Sequence, residues 1–246
     1  MKVVVGSAFR NSGRATQQAD GSTQASRAVE RVRKLGHAIG RQNVRMVAAE
    51  GDSTDDTIDQ LRAAADRYDV DLTIVDVSHG GPMYGSTEQP ERMRLLSGVG
   101  NGIMRSVRDD DQLLLYVESD LIWTPSVVRD LADIVLPSML DGDEAKVHGM
   151  RIGAPIIMAG PHFYDVWGFR GLDGQRWGPF APYHRKRNPV GLTEVSSAGS
   201  CLLMPARAAM DAPPMTDGAL VEWCTGARSI GYHIMVHPFA TVRHPA

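Results

Sequence analysis

Cysteine is scarce in this 246-residue sequence: Cys201 and Cys224 are the only two. Two thiols so spaced build neither a disulfide framework nor a zinc site of usual spacing. Both are expected as buried thiols in a reducing compartment. Lysine is also rare, at Lys2, Lys34, Lys146 and Lys186, so nearly all the cationic side chains are arginine. Aromatic residues make up 6% of the chain. No apolar run approaches the ~20 residues that cross a bilayer; the longest, Ile152 to Gly160, falls well short. The apolar run at the N-terminus, Val3-Val4-Val5, is too short for a secretory h-region. Charge of one sign is lacking too, since 26 basic residues nearly balance 29 acidic ones for a net charge of −3. Nothing in that total demands a polyanionic partner. A soluble, cytoplasmic globular chain is expected, with no membrane insertion.

What is present is an alternation of strand and helix signals. Val3-Val4-Val5 reads as a buried strand opening at Gly6-Ser7-Ala8 into a loop with Phe9, Arg10, Asn11 and Gly13. Ser22 to Ile39 carries a helical apolar stripe: Ala25, Ala28, Val29, Val32, Leu35 and Ile39. Val44 to Ala49 is a second strand, Thr57 to Tyr68 a helix, and Leu72 to Val77 a third strand. That order predicts a parallel sheet with right-handed crossovers. Arg92 to Val107 is a helix whose Gly98, Gly100 and Gly102 permit close backbone packing. Leu113 to Val117 is a strand apolar at every position, and Pro125 to Met139 another helix. In the second half, Val147 to Ala159 reads as strand, Ser200 to Met204 as a short strand followed by a helix, and Tyr232 to Val236 as a strand. No repeat or linker interrupts the chain. One domain over residues 1–246 is expected, with a nucleotide-sugar-binding half (1–120) and an acceptor and catalytic half (121–246).

Two acidic loops stand at strand ends, where open α/β sheets bind ligands. Glu118-Ser119-Asp120 follows the apolar strand 113–117, and unpaired carboxylates beside a core are costly. A hard divalent cation and a pyrophosphate would offset that cost. The simpler reading is a solvated loop that caps the next helix. The stretch Glu50 to Thr57 includes an obvious helix N-cap in Ser53 or Asp55. That leaves Glu50 and Asp52 over, each able to accept bonds from a ribose or a base edge.

Taken together, the N-terminal strand and loop, the Glu50-x-x-Ser53-x-Asp55-x-Thr57 turn and the acid-x-Asp motif at 118–120 resemble the GT-A class of nucleotide-sugar glycosyltransferases. Val195 to Leu203, with Gly199 inside it, is similar to the acceptor-side segment of family 2 enzymes. Glu222-Trp223-Cys224, then Arg228, Gly231-Tyr232, Pro238 and His244, is similar to their C-terminal ending. A more local likeness is to capsule-associated mannosyltransferases. It rests on Glu50 with Ser53-x-Asp55-Asp56-Thr57, on Phe163-Tyr164-Asp165-x-Trp167-x-x-Arg170, and on Asp173-Gly174.

The resemblance implies a GT-A-like (Rossmann-like) three-layer α/β/α sandwich with a mostly parallel central sheet. It also implies a hexosyltransferase that moves a sugar from a nucleoside-diphosphate donor to an acceptor hydroxyl. A departing diphosphate needs a Mn²⁺ or Mg²⁺ clamp. Asp120 is the expected ligand, Glu118 assists directly or through water, and His244 is the further ligand with His237 competing. Residue 118 is Glu where Asp is common, which makes Asp120 the surer of the two. Glu222 matches the family's catalytic acid position and is the expected base, which implies inversion; the mannosyltransferase likeness implies retention. Ala8, Arg10, Glu50 and Asp52 are expected at the nucleoside, with UDP favoured over GDP. Asp165, Trp167, Arg170 and Gly199 are expected at the donor or acceptor sugar. The run His184 to Arg187 reads as a solvated loop, or as a contact to a phosphorylated acceptor such as a hydroxymethylated base in DNA. A glycan is the other acceptor class. Two alternatives stand beside this reading: a sugar-1-phosphate nucleotidyltransferase and a non-catalytic nucleotide-sugar-binding module.

Overall fold

The structure, a computed structural model, describes residues 1–85, 88–139, 149–180 and 191–245. The run His184–Arg187 and the start of the expected strand at Val147 lie outside the described residues. One sheet of nine strands runs through both halves of the chain. Its first strands are β1 (Val3–Phe9), β2 (Val44–Glu50), β3 (Asp71–Asp76) and β4 (Leu113–Val117). They are followed by β5 (Met150–Ala159), β6 (His162–Phe163), β7 (Thr193–Val195), β8 (Cys201–Pro205) and β9 (Tyr232–Arg243). The spatial order is β3-β2-β1-β4-β8-β5-β9-β7, with β6 beside β5.

The strands β3, β2, β1 and β4 are parallel, and so are β5 and β9. Antiparallel pairing enters at β4–β8, β8–β5, β9–β7 and β5–β6. Parallel pairing carries the larger part of the register, so the sheet is mostly parallel. Helices α1 (Gln24–Ile39), α2 (Thr57–Tyr68) and α4 (Pro125–Val135) cover one face. Helices α3 (Pro90–Met104), α5 (Ala206–Asp211) and α6 (Ala219–Ser229) cover the other. This is the expected three-layer sandwich.

The central strands are apolar throughout because both faces are covered. Leu113, Leu115 and Val117 enter one core, and Leu114 and Tyr116 the other. Helix α1 starts at Thr23, whose hydroxyl and Ser26 form a capping box. Helix α3 packs tightly: a Cβ on Gly102 would lie 2.7 Å from Val77 Cγ1, and one on Gly100 2.5 Å from Met215 Cε. Gly98 faces open space, so only two of the three expected packing glycines serve that purpose.

The last strand departs most from expectation. It does not stop at Val236 but continues to Arg243. Its register with β5 jumps from Pro155 opposite His237 to Ile156 opposite Thr241, so 238–240 bulge out of the ladder. Beyond the bulge, Ile122 and Arg243 exchange backbone hydrogen bonds, and His244 N donates to Met158 O at 2.8 Å. That path returns the chain's end to the loop after β4.

Candidate active site

Strand β4 delivers Glu118-Ser119-Asp120 to the carboxyl edge of the sheet. Glu118 N donates to Ser200 O at 2.9 Å, and Leu121 N to Glu118 O at 3.2 Å, which fixes the turn. His244 Nε2 then stands 3.1 Å from Asp120 Oδ2, across a sequence gap of more than a hundred residues. The imidazole lies flat on Tyr164, ring centres 3.8 Å apart and planes 14° from parallel. The other Asp120 oxygen, Oδ1, is buried and accepts no hydrogen bond. His237 is occupied elsewhere, its Nδ1 accepting from the backbone N–H groups of Phe239 and Ala240.

Around this pair the field is strongly negative. Burial, together with the charges of Asp120 and Asp165, pushes the Glu118 carboxyl up to about 8. Burial pushes Asp165 up to about 6, against hydrogen bonds from Gly168, Ser200 and Gly199. The same carboxylates, after burial itself, raise the Tyr164 phenol. Asp165 is 7% exposed and accepts from Gly168 N at 3.2 Å. Gly168 must lack a side chain, since a Cβ there would come within 2.8 Å of both Gly199 Cα and Asp165 Oδ1, and a Cβ on Gly199 would crowd Asp165 Oδ2 at 3.0 Å. Gly199 is therefore a close-approach residue under Asp165. Trp167 stands half-buried with Arg92 above its ring. Arg170 links segments through its backbone to Ser197.

Beside β1 and β2 lies an open cavity of about 240 Å³, lined among others by Ala8, Arg10, Gly51, His79, Tyr84 and Arg92. Ala8 and Arg10 line it as expected, and Arg10 also donates to the carbonyls of Gly81 and Pro82. Gly51, between Glu50 and Asp52, lines it, but neither carboxylate does. Glu50 is 5% exposed with its Oε1 unpartnered. Asp52 is a loop clamp: it accepts from His79 N and Gly80 N, both at 3.0 Å, and these bonds lower its carboxyl's pKa. The N-cap of α2 is Asp56, with no side-chain cap bond of its own, and not Ser53 or Asp55, although Asp55 accepts from Thr57 N at the helix start. Ser53 Oγ accepts from Asn11 N, Asp55 from Gly13 N, and Asp56 from Arg14 N, locking the loop after β1.

Glu222 sits in the first turn of α6 with both oxygens engaged. They accept from Thr216 N, Thr216 Oγ1, Asp217 N and Gly218 N at 2.6–3.1 Å. Burial acts to raise its pKa, but these bonds outweigh it and leave the carboxyl lowered. In this arrangement Glu222 orders the 216–218 turn. Sequence reasoning missed Arg92 and Tyr164 as members of the site. Arg92 carries no motif, and Tyr164 enters the sequence reading only within the Phe163–Arg170 likeness, with no role of its own. Among the described residues no three His, Cys, Asp or Glu side chains converge as a metal cluster. Asp120 and His244 are the residues placed where a divalent cation would be held.

The profile of the family described as "Cryptococcal mannosyltransferase 1" matches residues 15–201, well over half of the chain. The chain belongs to that family. This family member matches no curated protein in sequence. It is similar in fold to the Staphylococcus aureus TarS 1-349 crystal structure, at 10% identity and a TM-score of 0.57, over 100% of this chain and 60% of that one. It is similar also to the mannosyltransferase PcManGT from Pyrobaculum calidifontis in complex with GDP-Man and Mn²⁺, at 12% identity and a TM-score of 0.56. That match covers 98% of this chain and 56% of that one. A third is glucosyl-3-phosphoglycerate synthase from Mycobacterium tuberculosis in complex with Mn²⁺, UDP and phosphoglyceric acid. There the identity is 11% and the TM-score 0.53, over 100% and 71% of the two chains. This mannosyltransferase-family chain thus spans about 60% of the first of these. At such identities the likeness shows the fold alone, and the fold is GT-A. No helix among the described residues is long and apolar enough to cross a membrane.

Proposed function

We propose that the chain transfers a hexosyl group, mannosyl in the first instance, from a nucleoside-diphosphate sugar to an acceptor hydroxyl. The observation that carries this is the pairing of Asp120 Oδ2 with His244 Nε2 at 3.1 Å, beside an Asp120 oxygen that is buried and unpartnered. That donor set fits Mn²⁺ or Mg²⁺, with Asp120 and His244 as the holding residues. When bound, the cation offsets the negative charge that develops on a leaving diphosphate. Both a uridine and a guanosine diphosphate sugar belong in the donor screen, since UDP and GDP-Man occur in the complexes of the fold neighbours.

In the reaction, the bond between the anomeric carbon and the β-phosphate oxygen breaks with its electron pair going to that oxygen. The acceptor oxygen bonds to the same carbon and yields its proton to a base. On the likeness of the C-terminal segment to family 2 enzymes we assign the base to Glu222 and the outcome to inversion; the likeness to mannosyltransferases implies retention instead, and the anomeric configuration of the product decides between the two. The four hydrogen bonds Glu222 accepts make the free carboxylate a weak base, so this step needs one of them released as the acceptor binds. Asp165 is assigned to the sugar hydroxyls, with Trp167 as a face for a sugar ring. A glycan hydroxyl is the proposed acceptor, and a hydroxymethylated DNA base is a control in the same screen. The test is hydrolysis of nucleotide sugars with Mn²⁺ or Mg²⁺, with and without Asp120→Asn. Metal-dependent release of nucleoside diphosphate that the substitution removes is the expected result. Turnover untouched by the substitution overturns the assignment, and release of pyrophosphate from a nucleoside triphosphate and sugar phosphate would mark a nucleotidyltransferase.

A further inference from the structure

Resting on the glycosyltransferase reading and its cation site, we propose that Tyr164 is the positioning residue of His244, holding the imidazole by ring stacking in the attitude a divalent cation needs. His244 lies one residue past the end of β9. Its side chain has two free torsions, yet Nε2 has to stay beside Asp120 Oδ2, where it stands at 3.1 Å. A ligating histidine is ordinarily oriented by a hydrogen bond on its other ring nitrogen. Among the described residues no hydrogen bond reaches His244 Nδ1. The ring lies instead on the face of Tyr164, with centres 3.8 Å apart and planes 14° from parallel.

Both rings start from the same strand end. Met158 of β5 pairs with Phe163 on one side and with Arg243 on the other. Tyr164 and His244 are the next residues along those two strands. Tyr164 N donates to Ile157 O and His244 N to Met158 O, each at 2.8 Å. Ile122 and Arg243 exchange backbone hydrogen bonds of 2.7 and 3.0 Å, which ties the same point to the loop that carries Asp120. Pro245 further confines the backbone of His244 to extended conformations. With both backbones fixed, the freedom that is left belongs to the imidazole, and the tyrosine face takes it up. The Tyr164 ring is half-buried and backed by the core that α1, α2 and α4 cover, which keeps it from turning away. Stacking of this kind needs an aromatic face and not a hydroxyl, so phenylalanine would serve and an unbranched aliphatic chain would not. Tyr164 also directly precedes Asp165, so one segment both orients the cation's ligand and carries the carboxylate assigned to the sugar.

Titration of Mn²⁺ into the full chain, with UDP and GDP in turn, tests this. Tyr164→Met keeps apolar bulk against the core but has no ring, and it is expected to weaken Mn²⁺ binding about ten-fold. Tyr164→Phe should stay within about three-fold of the wild-type chain. The loss should run through His244, so in a His244→Ala background Tyr164→Met should cost less than about two-fold more. The ring-proton resonances of His244 should lie upfield in the wild-type chain and in Tyr164→Phe, shielded by the stacked ring, and move downfield in Tyr164→Met. Unchanged Mn²⁺ affinity in Tyr164→Met, or a loss that adds in full to that of His244→Ala, overturns the proposal. A lowered unfolding midpoint with unchanged affinity shows a structural role only and overturns it too. Should Tyr164→Met fail to fold, the wild-type spectrum decides: unshifted His244 ring resonances contradict the stack. If the wild-type chain binds no Mn²⁺ with either nucleotide, the glycosyltransferase reading falls and this inference with it. Wild-type binding that His244→Ala weakens and Tyr164→Met leaves intact removes this inference alone.

Discussion

The two oxygens of Asp120 are in different situations: one faces His244 Nε2 at 3.1 Å, and the other is buried without a partner. An unpartnered buried carboxylate oxygen is costly, and a cation removes that cost. His244→Ala is therefore expected to weaken Mn²⁺ binding and to lower donor hydrolysis, whereas His237→Ala, whose Nδ1 serves only the 238–240 bulge, should leave both unchanged. Metal titration of the two variants checks this. Glu118 and Asp165 yield a second prediction at the same scale. Their folded pKa values lie near 8 and 6, above the ordinary 4.5 and 3.8. The folded chain then holds protons that the unfolded chain has released, so stability falls as pH rises from about 4 to 8. Asp52 and Glu222, both lowered, lose their contributions only at acid pH and do not enter that window. Thermal unfolding without divalent cation should show a midpoint that declines from pH 5 to pH 8, and Glu118→Gln should flatten most of the decline. A midpoint that rises over that range contradicts the burial of these carboxyls.

At the scale of elements, α6 and the turn before it depend on Glu222. Glu222→Gln keeps the shape but cannot accept all four donors. A loss of about 1–3 kcal/mol is expected, seen as an unfolding midpoint lower by about 2–4 °C for each kcal/mol. If the carboxylate also accepts the acceptor's proton, kcat should fall by about a hundred-fold or more while donor hydrolysis by water falls less. The elements legible in the sequence were those with strong local patterns. Helix α2 and strand β4 begin and end where periodicity and apolar runs put them, and α1 starts within two residues of its expected start. Strands β6 and β7 are two and three residues long, too short for any period to register. The continuation of β9 was hidden by Pro238, which reads as a stop but sits in a bulge. Its buried Ala240 and Val242 alternate with exposed neighbours, and that is the signal that was there to read.

For the whole molecule, the sheet brings three distant segments to one edge: the loop after β4, the aromatic segment 162–177, and the end of β9. The sequence motifs named the first and third, and part of the second. Arg92 was out of reach because no motif marks it along α3, and only the fold brings the Trp167 ring beside it. The contacts of Asp52 were out of reach for a related reason: a loop brought from the end of β3 donates to its carboxylate. Removing the residues after Arg243 should leave the fold intact, since they lie beyond the last strand, yet reduce metal-dependent activity as far as His244→Ala does. The most direct measurement is Mn²⁺ affinity in the presence of nucleoside diphosphate, compared between the wild-type chain and Asp120→Asn. The account predicts a single site in the wild-type chain and an affinity lower by about a hundred-fold or more in the variant. Equal affinities in the two proteins, with both folded, would contradict it.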